Sequence, residues 1–181
     1  PYSFWDQTAA RLVDAQASGL ASRVRSLAGI PHSGEDWPNR MLTALGKLHL
    51  LVQGYSQKEN LAPAMQAEVR SQIGWTQKQE TLLAEAENAH SLVESLSDTW
   101  HVLGKVVTEE ENLKTQRLWL GGGQHQKAGF VLSFAHGRRQ PLDSSLRPGM
   151  SFQGKLVFYP GTGVQRAFVT ARNNNPKRDL R

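Results

Sequence analysis

The chain has 181 residues, of which 39% are hydrophobic and 20% are charged, and its formal net charge at pH 7 is +5. This composition fits one large or two small globular domains and excludes the weakly hydrophobic, highly charged class of disordered chains. The chain contains no cysteine, which excludes disulfides, thiol nucleophiles and thiolate metal sites within it.

The spacing of apolar residues predicts helices throughout the first half of the chain. Apolar residues recur every three to four positions, as they do on one face of a helix. The predicted helices span about 6–28, 38–54, 60–73 and 77–96. Gly19 is expected to weaken the first of them by about 1 kcal/mol relative to alanine. We therefore predict a four-helix bundle-like domain over residues 1–97.

The apolar period changes to two near residue 98, which predicts strands. The predicted strands span about 99–107, 112–120, 128–135, 151–159 and 164–171. In the first strand, Trp100, Val102 and Val106 are expected to share one face. Short strands joined by turns indicate a five-stranded antiparallel sheet or a small, partly open barrel over 98–171, and the fold class is therefore α+β. Residues 172–181 are predicted to form a basic disordered tail.

The charges are unevenly distributed between the two predicted domains. Residues 1–97 hold 8 Lys and Arg against 10 Asp and Glu, whereas residues 98–181 hold 13 against 6, which gives net charges of −2 and +7. A basic β half suits binding to nucleic acid or to an acidic protein. The alternative is that basic residues, above all those of the tail, only keep the chain in solution.

No residue pattern indicates a catalytic centre. Gly121–Gly123 lies between two predicted strands and is expected to form a hairpin turn, because a phosphate-binding loop needs a helix after it. The carboxylates of Glu109–Glu111 fall at a predicted hairpin tip in solvent, where general acid–base chemistry is not favoured. We predict no catalytic, cofactor-binding or metal-binding residue, and not an enzyme.

Aromatic and basic residues alternate along the predicted strands. The aromatic residues are Trp119, Phe130, Phe134, Phe152, Phe158, Tyr159 and Phe168, and the basic ones are Arg117, Lys127, Lys155 and Arg166. Small barrels that bind single-stranded nucleic acid use such a pattern. The favoured alternative is that the aromatic residues form the core face and the basic residues the solvated face. Arg117, Lys155 and Arg166 are the predicted binding residues.

Several stretches of the chain together carry a family resemblance. They are PYSFWDQTAARLVDAQASGLASRVRSL, LGKLHLLVQGY, AEVRSQIGW, DTWHVLGK, QRLWLGG and KLVFYPG. From about Pro1 to Phe168 the chain resembles the region that follows the zinc finger in bacterial SWIM zinc finger family proteins. The finger of that family has the order Cys-x-Cys…Cys-x-His. Because this chain has no cysteine, zinc is expected only in an upstream finger, and no ligand residue is carried over.

The resemblance implies a scaffold or adaptor that accompanies MoxR-type ATPases and von Willebrand factor A proteins. A protein partner is therefore the first expectation, and nucleic-acid binding by the basic β half is the alternative. The chain begins without Met, so we expect it to be a piece of a longer protein. We find no signal peptide and no apolar stretch long enough to span a bilayer, and we predict a cytoplasmic protein without a membrane partner. The sequence indicates no oligomeric state.

Overall fold

The computed structural model describes residues 2–88, 90–110, 113–136, 142–163 and 165–178. The chain divides into two compact units, Pro1–Gln77 and Lys78–Arg181. The first unit is built from helices, and the second combines one helix with a six-stranded mixed sheet. The predicted α+β class is therefore confirmed.

Four α-helices build the first unit. They are α1 (Tyr2–Asp14), α2 (Ser18–Leu27), α3 (Trp37–Ser56) and α4 (Pro63–Ile73), with single 3₁₀ turns at Ile30–His32 and Lys58–Asn60. The sequence predicts one helix over 6–28, but the structure has two, because the backbone at Gln16 is left-handed with φ of +60°. A left-handed residue cannot continue a right-handed helix. This break raises the number of α-helices before residue 77 from the three that were predicted to four.

Two glycines lie where α2 meets α4. A Cβ atom on Gly19 would lie 2.5 Å from the carbonyl oxygen of Gln72, and one on Gly74 would lie 2.6 Å from the Gly19 nitrogen. Gly74 also has φ of +114° and forms the left-handed C-cap of α4, where its N–H donates to the Arg70 carbonyl. Gly19, expected from the sequence only to weaken a helix, therefore allows two backbones to touch.

Small side chains form most of the core of the first unit. Its two buried clusters consist of Ala9, Ala21 and Val24 and of Ala17, Val69 and Ile73. α3 packs against these clusters through half-buried side chains such as Leu48 and Leu51. None of the residues of α3, all of which the structure describes, is fully buried. Much apolar surface of α3 is consequently left exposed.

The second unit is a small barrel. Its elements are α5 (Gln79–Glu85), β1 (Ser95–Glu110), β2 (Leu113–Gly122), β3 (Ala128–His136), β4 (Met150–Phe158), β5 (Arg166–Arg172) and β6 (Lys177–Arg178). The strands follow the order β1–β2–β3–β5–β4–β6, and β1 also pairs with β4, so the five long strands close on themselves. The β3–β5 pairing is parallel, contrary to the predicted antiparallel arrangement, and covers only two residue pairs. The barrel is thus partly open between β3 and β5.

β1 is shared between two neighbours, because its first half pairs with β4 and its second half with β2. The register with β2 shifts between Val102 and Gly104, which places a β-bulge at Leu103. A bulge bends its strand and moves the following residues to the other face. The predicted common face of Trp100, Val102 and Val106 is therefore wrong: Trp100 and Val102 are buried, whereas Val106 is 46% exposed.

Large side chains fill the barrel. The buried cluster contains Trp100, Val102, Leu118, Leu120, Val131, Leu146, Phe152, Leu156, Phe158 and Ala167. The indole Nε1 of Trp100 donates a hydrogen bond of 3.1 Å to the Gly154 carbonyl. Leu146 enters from the connection between β3 and β4, which Lys105 holds by donating to the carbonyls of Asp143 and Leu146 at 2.8 and 3.1 Å.

The predicted helix over 77–96 is much shorter in the structure, where α5 ends at Glu85. The side chains of Asn88 and Ser91 accept hydrogen bonds from backbone N–H groups two residues later. Such local bonds compete with the helical hydrogen bonds and favour turns. The residues that follow α5 therefore leave the helix before β1 begins at Ser95.

The boundary between the units also differs from the predicted one at 97/98. Leu82 of α5 is buried against Val157 and Phe168 of the barrel, so α5 belongs to the second unit. With the boundary after residue 77, the units hold 7 Lys and Arg against 6 Asp and Glu and 14 against 10. The net charges are then +1 and +4, and most of the predicted charge contrast disappears.

The predicted disordered tail over 172–181 is corrected for the residues that the structure describes. Arg172 belongs to β5, and Lys177 and Arg178 pair with Ser151 and Met150 of β4. The Asn173 N–H donates to the Gln153 carbonyl at 2.9 Å. Backbone pairing with β4 thus extends along the polar end of the chain, and residues 179–181 lie outside the described part.

Candidate functional site

Side chains alternate between the two faces of β2 and β3. Leu118 and Leu120 of β2 point into the barrel and are buried, whereas Arg117 and Trp119 between them point outward. On β3, the buried Val131 and the outward Phe130 alternate in the same way. The outer face of these strands is therefore partly aromatic, and α5 covers a different part of the barrel, on β4 and β5.

Strand register arranges the outward residues in three rows. The first row joins Gly104, Trp119, Phe130 and Arg166, the second joins Val106, Arg117 and Leu132, and the third joins Thr108, Thr115 and Phe134. Residues directly paired across strands point to the same face of a sheet. We call these ten residues, which belong to β1, β2, β3 and β5, the aromatic face.

The aromatic rings of this face are accessible. Trp119 is 40% exposed and Phe134 is 49% exposed, and the rings of Trp119 and Phe130 lie with their centroids 5.5 Å apart. Gly104 leaves room beside the indole, because a Cβ atom there would lie 3.3 Å from Trp119 Cε3. Leu103, at the bulge beside this row, is 66% exposed. The face thus offers flat apolar surface to a ligand.

Two arginines are the charged residues of the aromatic face. Arg117 donates a hydrogen bond of 3.1 Å to Thr108 Oγ1 within the face. The guanidinium carbon of Arg166 lies 4.5 Å from the centroid of the Tyr159 ring. None of the ten residues is acidic, and the structure describes all ten. The face therefore combines rings with positive charge and lacks a carboxylate that would repel a phosphate.

The three predicted binding residues do not all lie together. Arg117 and Arg166 belong to the aromatic face, in rows that also hold Trp119 and Phe130. Lys155 is exposed on β4, where its register partners are Ser97 of β1 and Ala171 of β5. The register thus assigns Lys155 to a different group of residues.

The aromatic residues divide between the two readings that the sequence left open. Phe152 and Phe158 lie in the barrel core, and Phe168 is buried beneath α5. Trp119 and Phe134 are exposed, on the same face as an arginine. The favoured interpretation, that the aromatic residues form a core face, therefore holds for the buried phenylalanines and does not hold for Trp119 and Phe134. Alternation with Leu118 and Leu120 is the sequence signal that separates the groups.

Sequence reasoning missed that Val106 belongs to the aromatic face and that Leu103 is exposed beside it. Both depend on the bulge in β1, which reverses the alternation after Val102. Gly104 was the available signal, because glycine inside a strand pattern often marks a bulge.

A buried carboxylate fixes the turn between β2 and β3. The Asp98 side chain is fully buried and accepts hydrogen bonds from the N–H groups of Thr99, Gln124 and His125 at 2.6, 3.0 and 3.0 Å. The His125 ring nitrogen Nδ1 lies 3.1 Å from Asp98 Oδ2. Burial alone raises the pKa of Asp98, but the backbone and side-chain hydrogen bonds from His125 and Gln124 lower it to about 2. These contacts hold the turn that joins two strands of the aromatic face.

The described residues contain no group of three or more His, Asp or Glu side chains placed to hold a metal ion. Likewise, no helix in the described ranges is long and apolar enough to cross a membrane.

Comparison with known proteins finds one similarity, over the first part of the chain. Residues 1–73 match the family model of the SWIM-associated four-helix bundle domain. The match ends at the last residue of α4 and includes all four helices of the first unit. Searches of curated proteins and of solved structures found no match.

Proposed function

Since residues 1–73 match the family model of the SWIM-associated four-helix bundle domain, in agreement with the resemblance to SWIM zinc finger family proteins, we propose a function from this premise. We propose that the chain is a non-catalytic binding module whose aromatic face binds single-stranded nucleic acid. The observation that carries the proposal is the combination of three outward rings and two arginines with no carboxylate on one barrel face.

Base stacking supplies the physical basis of this proposal. Stacking of a base on an aromatic side chain contributes about 1–3 kcal/mol and tolerates any sequence, because every base has a flat face. Trp119 and Phe134 are exposed enough to receive bases, and Arg117 lies between them along the second row to contact phosphate. Five-stranded, partly open barrels of the OB class bind oligonucleotides on the outer face of their second and third strands.

Trp119→Ala is expected to weaken binding of a fluorescent single strand of about 12 nucleotides by roughly 10-fold or more, since one stacking platform is lost. Fluorescence polarisation with DNA and RNA strands at low salt would measure this loss. Trp37→Ala is a matched control, because Trp37 is also 40% exposed but lies on α3 in the other unit. An unchanged affinity for Trp119→Ala, or an equal loss for Trp37→Ala, would contradict the proposal.

Arg117→Ala is expected to lower the slope of log affinity against log salt by about 0.7, the value for one phosphate contact on a single strand. Lys155→Ala is expected to leave this slope unchanged, because Lys155 does not belong to the rows of the aromatic face. Titrations at several salt concentrations would separate the two variants. Equal slopes for Arg117→Ala and the unmodified chain would exclude a phosphate contact at Arg117.

A protein-binding adaptor is the second candidate, and one observation favours it. β3 pairs with β5 only at Phe130 and Val131, so the described residues Leu132–His136 have no strand on that side. An unpaired strand edge can receive an extended segment of a partner. Under this proposal the chain is a cytoplasmic companion of MoxR-type ATPases or von Willebrand factor A proteins. A pull-down with the full-length protein that recovers no stable protein partner would count against it.

A further inference from the structure

The two exposed rings of the aromatic face are too far apart for neighbouring stacked bases. Trp119 pairs with Phe130, and Phe134 follows Phe130 by four residues on β3. Four strand residues cover about 13 Å and adjacent strands lie about 4.8 Å apart, so the Trp119 and Phe134 side chains leave the sheet about 14 Å from each other. Bases in a helix repeat about every 3.4 Å along their strand, so about four stacked steps would fill this distance.

An unstacked strand fills the same distance with fewer nucleotides. Bases that stack on protein rings are splayed away from each other, and an extended backbone spaces them at about twice the helical repeat of 3.4 Å. Two such steps cover about 14 Å, which leaves one nucleotide between the two that reach the rings. Bases on Trp119 and Phe134 would thus be the outer members of a run of three.

Arg117 lies where the middle nucleotide passes. It belongs to the second row, between the row of Trp119 and the row of Phe134, and this row contains no ring. Its hydrogen bond to Thr108 Oγ1 uses one of the five N–H donors of a guanidinium, which leaves donors for a phosphate. The middle row therefore suits the backbone of a strand and offers its base no stacking partner.

Leu103 marks one end of this path. Gly121 follows Trp119 by two residues on β2 and therefore points to the same face. A Cβ atom on Gly121 would lie 3.2 Å from Leu103 Cδ1, so the leucine side chain covers the glycine. A strand that continued straight beyond Trp119 would meet this leucine, and the flat path consequently begins at Trp119.

We infer that the aromatic face, whose binding of single strands is the function proposed above, holds an extended run of three unstacked nucleotides. The outer bases stack on Trp119 and Phe134, the phosphate between them contacts Arg117, and the middle base is not recognised. The face therefore selects strands free of helical structure, because the bases of a duplex are held at half the required spacing.

The test uses DNA strands of about 12 sugar–phosphate units that carry only two thymines, separated by zero to four units without a base. Fluorescence polarisation with the whole chain at low salt measures their affinities. One base-free unit between the thymines is expected to give about 10-fold tighter binding than adjacent thymines, since only the separated pair reaches both rings. Wider separations are expected to bind more weakly than this best strand, because their slack must be confined.

Phe134→Ala is expected to abolish the advantage of the single base-free unit, whereas Trp37→Ala, on α3, is expected to retain it. A strand of about 12 thymines tests the proposed function separately, and if it does not bind, that function and this inference both fail. If it binds, three results would each overturn the inference alone: equal affinity for adjacent thymines, a maximum at two or more base-free units, or an advantage that survives Phe134→Ala.

Discussion

Gly19→Ala is expected to destabilise the first unit by about 3 kcal/mol, the upper range for forcing atoms into a packed region. The added Cβ would lie 2.5 Å from the Gln72 carbonyl oxygen and 2.9 Å from the carbonyl carbon and oxygen of Ile73. These neighbours are backbone atoms of α4, which cannot rotate away as a flexible side chain can. α2 must therefore move away from α4. Urea unfolding followed by helical circular dichroism measures the loss.

Gly46→Ala provides the control for Gly19→Ala within the same unit. Gly46 is also helical, but a Cβ atom there meets nothing within 4 Å. Alanine is therefore expected to stabilise the unit by about 1 kcal/mol, as its helix propensity dictates. If both substitutions stabilised the chain, the close contact between α2 and α4 would be excluded.

Acid is expected to remove about 2 kcal/mol of stability from the second unit through Asp98 alone, because its pKa is lowered from 3.8 to about 2. A carboxylate with a lowered pKa stabilises the fold fully at pH values above its unfolded pKa. That contribution is lost as pH falls from about 4 toward 2, where the folded carboxylate takes up its proton. Urea unfolding at a series of pH values, followed by near-UV circular dichroism, measures this loss.

Asp98→Asn is expected to cost about 3 kcal/mol at neutral pH and to flatten the loss of stability between pH 4 and 2. The amide keeps the shape of the carboxylate but turns an NH₂ group toward N–H donors of the β2–β3 turn. Asp143→Asn is a suitable control. Hydrogen bonds from Ser145 and the charge of Arg172 lower the pKa of Asp143 against the effect of burial, yet its side chain is 39% exposed. Its substitution is expected to cost less than about 1 kcal/mol. If Asp98→Asn still loses stability steeply between pH 4 and 2, that loss arises from other titratable groups and not from Asp98.

Strand positions in the second unit followed from alternation, because one face of each barrel strand is buried. The predicted strand 128–135 differs from the observed Ala128–His136 by one residue at one end, and the predicted 151–159 differs from Met150–Phe158 by one residue at each end. Helix ends were harder to predict, since they depend on local competition. Side-chain hydrogen bonds at Asn88 and Ser91 end a pattern that apolar spacing alone would continue.

The candidate site could be predicted only in part, because pairings between distant strands decide which of its residues lie together. The sequence identified Arg117 and Arg166 separately, but their arrangement in one face depends on the parallel contact between β3 and β5. The same limit applies to Lys155, whose neighbours are determined by the pairing of β4 with β1 and β5. To predict that Val106 is exposed, one must know that a bulge shifts the strand by one residue.

The shared strand β1 also constrains the order in which the second unit folds. Its later half can form a hairpin with β2 at once, whereas Ser95 pairs with Val157, which lies 62 residues further along the chain. Closing such a long loop costs entropy before it gains contacts, and folding is slow where distant pairings dominate. Of the strand pairings in the described residues, that of the first half of β1 with β4 closes the longest loop. During synthesis this half of β1 leaves the ribosome early, with one edge open until β4 has been made.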